Sequence, residues 1–218
     1  GATLARHFKE ITPRTFSMPA PLWIPSRLMI GLRKPRNQIL GAELAGDIEA
    51  IGNSVTQFKV GDAVFAYRGP NFGGNAEYIA VKENSIVARK PENMTYEEAA
   101  TVPYGALTAL NLLRQAHIEP GQKVLINGAS GGIGSYALQL AKYYGAEVTG
   151  VCGTLRMDFV KSLGADHVID YSKEDFTQNG QKYDLILDIL GKSSFARVKN
   201  SLTANGRYML ASFKMKHL

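Results

Sequence analysis

The sequence predicts an α/β chain in which a small, mainly antiparallel β module precedes a doubly wound parallel sheet. Three observations carry this. Short strand-like runs separated by turns begin at Ile39; strands and helices alternate from about Pro91 onward; and one strand, Lys123 to Asn127, runs through a glycine turn straight into an amphipathic helix.

Within the module, Ala45 to Ile51, Asp62 to Tyr67 and Ala76 to Val81 read as strands, parted by Gly52-Asn53, Gly61-Asp62 and Asn71 to Asn75. Residues 1 to about 37 hold five of the nine prolines and show no sustained period, so irregular connection and short turns are expected there. Thr95-x-x-Glu98 is a capping box, in which each side chain can satisfy the other residue's backbone N–H, and it starts a helix. Beyond it, Lys123–Asn127, Glu147–Val151, His167–Ile169, Asp184–Ile189 and Arg207–Ala211 read as strands. Ile133–Tyr144, Arg156–Leu163 and Ser194–Leu202 read as helices between them. Such alternation predicts a parallel sheet covered on both faces. The expected division is 1–92 and 93–218.

Composition narrows the function classes. At 218 residues and 45% hydrophobic content the chain can bury a substantial core. No apolar run approaches the roughly 18 to 20 residues of a membrane span, so a soluble protein is expected. The lone Cys152 excludes an internal disulfide framework or a thiolate metal cluster and suits a reducing, cytoplasmic interior. Net charge +6 and a pI near 9.3 allow an anionic partner without choosing one. The densest basic run, Arg27, Arg33, Lys34 and Arg36, reads as a solvated loop or an anion-facing patch. It lacks the interleaved aromatics expected of a nucleic-acid surface, and no nucleic-acid partner is expected. Gly1 in place of Met suggests that residues upstream were removed or left out.

The strand 123–127 leads into Gly128-Ala129-Ser130-Gly131-Gly132-Ile133-Gly134, and apolar Ile133, Ala137, Leu140, Ala141 and Tyr144 then recur at helical spacing. Strand, glycine turn and helix meet the context required of a dinucleotide fingerprint. Gly131 lets backbone approach a pyrophosphate, Gly134 lets the helix pack closely on the strand, and free N–H groups at the helix start face the phosphate oxygens. Against G-x-G-x-x-G, Ala129 replaces the first glycine. At the tip of the next strand, Gly153-Thr154-Leu155-Arg156 has no acid to accept a ribose 2′-hydroxyl. Gly153 leaves room, the Thr154 hydroxyl can donate and Arg156 can neutralise a 2′-phosphate, which favours NADP(H) over NAD. The competing reading makes Thr154 an N-cap and Arg156 a solvated helix-start residue.

Five ordered blocks then resemble a family: 39–52 (Ile-Leu-Gly-Ala-Glu-Leu-Ala-Gly-Asp-Ile-Glu-Ala-Ile-Gly), 58–65 (Phe-Lys-Val-Gly-Asp-Ala-Val-Phe), 73–78 (Gly-Gly-Asn-Ala-Glu-Tyr), 129–134 (Ala-Ser-Gly-Gly-Ile-Gly) and 162–171 (Ser-Leu-Gly-Ala-Asp-His-Val-Ile-Asp-Tyr). Together they resemble the zinc-independent quinone oxidoreductase and enoyl reductase branch of the medium-chain dehydrogenase/reductase superfamily, over roughly Ile39 to Ser212. The resemblance implies part of a GroES-like catalytic domain followed by a Rossmann domain, with family segments missing at both ends. Zinc-using relatives carry a histidine where this sequence has Ala42 before Glu43, and four cysteines where it has one; His7, His117, His167 and His217 are scattered, so no metal is expected.

Carried over by motif, the resemblance implies that Ser130, Gly131, Gly132 and Ile133 meet the pyrophosphate, with Ala129 and Gly134 completing the cofactor-binding turn. It places Gly153, Thr154 and Arg156 at the 2′-phosphate, Tyr171 at the adenosine end and Thr108 near the nicotinamide. The expected activity is NADPH-dependent reduction of a quinone, enone or enoyl thioester, with Tyr67, Tyr104 and Thr108 as candidate donors to the developing oxyanion. The alternative is an NADP(H)-binding sensor, structural protein or scaffold without turnover. Relatives commonly form homodimers, so a dimer is a further expectation.

Overall fold

The computed structural model describes residues 23–31 and 36–211. Arg33 and Lys34 of the basic run, and His7 and His217, lie outside the described residues. Two compact units divide between Tyr104 and Gly105.

The first unit holds helix α1 (Trp23–Ile30) and strands β1 (Glu43–Asp47), β2 (Ala63–Tyr67) and β3 (Ile86–Arg89), in an antiparallel sheet of order β1-β2-β3. Two expectations are corrected. Trp23–Ile30 is helical, not irregular, with Pro25 within its first turn, where a missing N–H costs no intrahelical bond. Ala76–Val81 is not a strand; the third strand is Ile86–Arg89, which pairs with β2 from Tyr67↔Ile86 to Val64↔Arg89. A short strand-like run such as 76–81 fits a pleated, half-buried surface, but it cannot report whether a backbone partner is available. That segment lines an open cleft of about 620 Å³ with Leu44, Phe58 and Val64.

Helix α2 (Tyr96–Ala116) begins at the capping box: Glu98 N–H donates to Thr95 Oγ1 at 3.2 Å and Thr95 N–H to Glu98 Oε2 at 2.9 Å. The second unit then alternates β4 (Lys123–Asn127), α3 (Gly132–Tyr143), β5 (Glu147–Cys152), α4 (Met157–Ser162), β6 (His167–Asp170), β7 (Tyr183–Asp188), α5 (Phe195–Val198) and β8 (Leu202–Leu210). All five strands are parallel, in the order β6-β5-β4-β7-β8. Alternate residues of β4 feed opposite cores. Val124 and Ile126 pack with Ala137, Leu138 and Leu113, whereas Leu125 packs with Val151, Ile186 and Val198. Each fully buried Leu or Ile there contributes about 1.5–3 kcal/mol relative to exposure.

Helices α4 and α5 are shorter than the sequence suggests, because a 3₁₀ turn takes Thr154–Arg156 before α4 and another takes Lys199–Ser201 after α5. Strand β8 starts at Leu202 rather than Arg207, with a register irregularity against β7 between Tyr183 and Leu185. At Gly206 a Cβ would lie 2.8 Å from the Tyr183 carbonyl oxygen, so this glycine admits close strand approach rather than a turn.

Candidate functional site

The turn after β4 is fastened to β5. The N–H groups of Gly128 and Ala129 both donate to the Val151 carbonyl at 3.0 Å, and Gly131 N–H donates to Gly128 O at 3.1 Å. Gly128 has φ +95°, in the left-handed region. At Gly134 a Cβ would stand 2.1 Å from the Gly128 carbonyl oxygen, so only glycine lets α3 start flush against the turn. Ala129 points away from this surface, fully buried in the core. Gly131 is the N-cap of α3 and supplies no side-chain cap, leaving the first N–H groups of the helix without intrahelical acceptors. Beside Gly132 the space a Cβ would take is open. Backbone donors and empty space thus form a cradle suited to a pyrophosphate.

Ser130 and Gly131 open onto a cleft of about 560 Å³ that Gly153, Thr154, Leu155, Arg156, Tyr171 and Ser172 also line. It lies at the carboxyl ends of β4, β5 and β6, where open parallel sheets bind ligands. Gly132, Ile133 and Gly134 form the helix start behind it. Arg156 is exposed, and its guanidinium makes no hydrogen bond or ion pair among the described residues. Leu155 is 98% exposed and Tyr171 65%, so two apolar surfaces stand open to an incoming ring.

Thr154 is neither an N-cap nor a free donor. Its Oγ1 donates to Asp170 Oδ2 at 2.5 Å, and Asp170 also accepts from Ser172 Oγ at 2.7 Å and Ser172 N–H at 3.0 Å. The Thr154 and Ser172 hydroxyls hold the Asp170 carboxyl below its usual range. The strand tip lacks an acid in sequence, yet one reaches it from β6. Burial, then Asp170, pushes up the Cys152 thiol beside it.

At the end of β7, Asp188 is fully buried and gathers five donors. Oδ1 accepts from Asn127 Nδ2 at 3.0 Å and from the N–H groups of Leu190 and Gly191 at 3.1 Å; Oδ2 accepts from Ser193 N–H at 2.9 Å and Tyr208 OH at 3.1 Å. The loop so held presents Leu190 and Lys192 to the same cleft. Sequence patterns missed Asp170, Asp188 and Lys192. The rule that ligands collect at the carboxyl ends of parallel strands could have pointed to the residues after β7.

In the first unit Tyr67 and Tyr104 come together, with ring centroids 5.9 Å apart, and Glu43 Oε1 accepts the Tyr104 N–H at 2.8 Å. Burial, then Tyr104 and Glu43, pushes the Tyr67 phenol above its usual range. Thr108 lies one helical turn beyond Tyr104 on α2, half-buried, and its hydroxyl makes no hydrogen bond among the described residues. Among the described residues no group of three or more His, Cys, Asp or Glu is placed to hold a metal ion. None of the described helices is long and apolar enough to cross a membrane.

Residues 132–218 match the family described as zinc-binding dehydrogenase, and residues 23–92 match the alcohol dehydrogenase GroES-like domain. A chloroplastic quinone-oxidoreductase homolog of Spinacia oleracea is 43% identical over 160 residues, which is 68% of this chain and 48% of that protein. A chloroplastic NADPH-dependent alkenal/one oxidoreductase of Arabidopsis thaliana is 37% identical over 166 residues, 72% of this chain and 43% of that protein. Among solved structures, a quinone oxidoreductase from Pseudomonas syringae pv. Tomato DC3000 superposes with TM-score 0.69 at 34% identity, over 82% of this chain and 55% of that one. The chain spans about half the length of the relatives it matches.

Proposed function

Because the chain belongs to the medium-chain dehydrogenase/reductase superfamily, and is similar to its quinone oxidoreductase and alkenal reductase members, we propose that it binds NADP(H) on the glycine turn and reduces a quinone or an activated carbon–carbon double bond. The observation that carries the reading is the cleft in which the uncapped start of α3 and the unpaired Arg156 line one space. The dinucleotide, when bound, supplies a hydride. The chain's own part is to hold the phosphates, orient the ring and provide a proton.

Ser130, Gly131 and the α3 start take the pyrophosphate, Arg156 the 2′-phosphate, and Tyr171 flanks the adenosine. Because the Thr154 hydrogen is committed to Asp170, Thr154 has none to offer a 2′-phosphate, and Arg156 carries the preference for NADPH. Tyr67, Tyr104 and Thr108 are the candidate proton donors to the oxygen of the reduced acceptor, and the Tyr67 and Tyr104 rings stand together, 5.9 Å between centroids. No zinc takes part in this reading: Ala42 offers no ligand beside Glu43, and the only thiol, Cys152, is buried at the end of β5.

Titration with NADPH and NADH, each repeated on Arg156→Ala, tests the cofactor assignment. The expected result is tighter binding of NADPH and a selective loss of about tenfold in the variant, the scale of one charge-assisted hydrogen bond. Equal affinities before and after the change overturn it. Anaerobic mixing of the NADPH-loaded chain with a quinone and with an enone tests turnover; binding without cofactor oxidation favours the non-catalytic reading.

A further inference from the structure

We propose that Lys192 is a second cofactor-phosphate ligand, set against the pyrophosphate by the loop that Asp188 pins at the end of β7. The proposal rests on the dinucleotide reading above and names a group and a positioning residue within it.

Strand order places the parts. β4 lies between β5 and β7, so the glycine turn after β4 has the β5 loop on one side and the β7 loop on the other. Arg156 comes from the first loop and Lys192 from the second, and both line the cleft that Ser130 and Gly131 open onto. Neither cation makes an ion pair or hydrogen bond among the described residues, although several other lysines and arginines of this unit do, including Lys142 with Asp166 and Arg197 with Asp175. Two unpaired cations therefore bracket an uncapped helix start. A dinucleotide lying across the three strand ends has its 2′-phosphate on the β5 side and its pyrophosphate over the turn, so the cation arriving from β7 meets the pyrophosphate.

The loop is held, not loose. Asp188 binds the N–H groups of Leu190, Gly191 and Ser193, and it is itself anchored to Asn127 on β4 and Tyr208 on β8. Leu190 closes over the turn, since a Cβ on Gly128 would lie 2.9 Å from its Cγ. Lys192 is the exposed residue between the buried Gly191 and Ser193, so its backbone is fixed on both sides while its ammonium reaches solvent.

Isothermal titration calorimetry of the full chain with NADPH and with NADH separates the outcomes. Lys192→Ala is expected to weaken both ligands alike, by about five- to tenfold, and to flatten the salt dependence of binding; Lys192→Arg is expected to retain affinity. Arg156→Ala weakens NADPH alone. Asp188→Asn, which removes an acceptor without touching the ligand, is expected to weaken both dinucleotides as Lys192→Ala does, and to add no further loss in the double variant. Unchanged affinities in Lys192→Ala overturn the inference, as does a loss confined to NADPH, which would put Lys192 at the 2′-phosphate. Additive losses in the double variant overturn the positioning role of Asp188. Failure of the unaltered chain to bind either dinucleotide is a different result: it sinks the dinucleotide reading and this assignment with it.

Discussion

The Thr154 hydroxyl donates to the Asp170 carboxylate at 2.5 Å, tying the tip of β5 to the end of β6 with a bond between residues 16 apart in sequence. Because this bond and those from Ser172 favour the charged form, the folded carboxyl titrates below its unfolded value of about 3.9. The stabilisation is therefore present above the unfolded value and is lost as pH falls through the folded one. Asp170→Asn is expected to unfold at lower urea concentration at pH 7 and to lose less stability than the parent between about pH 5 and pH 2. Asp166 and Asp175 are also held low, so part of the acid slope should survive in the variant. Parallel pH profiles of the two chains would refute the coupling.

Gly134→Ala tests the close approach of helix and turn. With its methyl 2.1 Å from the Gly128 carbonyl oxygen, and that atom being backbone, α3 must move away from β4. A loss of about 1–3 kcal/mol or more is expected in denaturant melts, with dinucleotide affinity falling as well. Gly132→Ala meets open space and should change stability little. Equal melts for the two variants would count against the packing argument.

Tyr67→Phe probes the phenol that burial holds protonated. In a spectrophotometric titration of tyrosine ionisation, the variant is expected to lack a component that titrates above the ordinary value of about 10. If Tyr67 is the proton source, the variant reduces acceptor more slowly while binding NADPH as before. Full activity in the variant moves the role to Tyr104 or Thr108.

Thr95→Ala removes one half of the capping box at the start of α2. A cost of about 1 kcal/mol is expected, read as a shift in the urea midpoint without change in slope.

These positions also show what the sequence could reveal. The capping box and the glycine turn are local devices: each is written in residues a few positions apart, and each forms as its spacing requires. The alternation of strands and helices after Pro91 gave the parallel sheet for the same reason. Ala76–Val81 has strand-like residues yet forms no strand, because a strand needs a partner edge and nothing within six residues records one. Asp170, Asp188 and Lys192 were invisible to pattern reading for a related reason. Crossovers place β5 beside β6 and β4 beside β7, so Thr154 meets Asp170, and Asn127 meets Asp188 across 61 positions. The last strand starts at Leu202, ahead of the expected Arg207, because Gly206 admits the close contact with Tyr183, a residue 23 positions away that no local pattern records.

Gly131 stands where most helices carry a serine, threonine or aspartate, and it leaves the first turn of α3 unfinished. An anion seated there completes the helix, so ligand and fold share one boundary. By mass action, a ligand at a hundred times its dissociation constant adds about 2.7 kcal/mol to the folded state. If the proposed dinucleotide is that anion, resistance of this chain to proteolysis rises with the dinucleotide concentration, which limited digestion at increasing ligand would check.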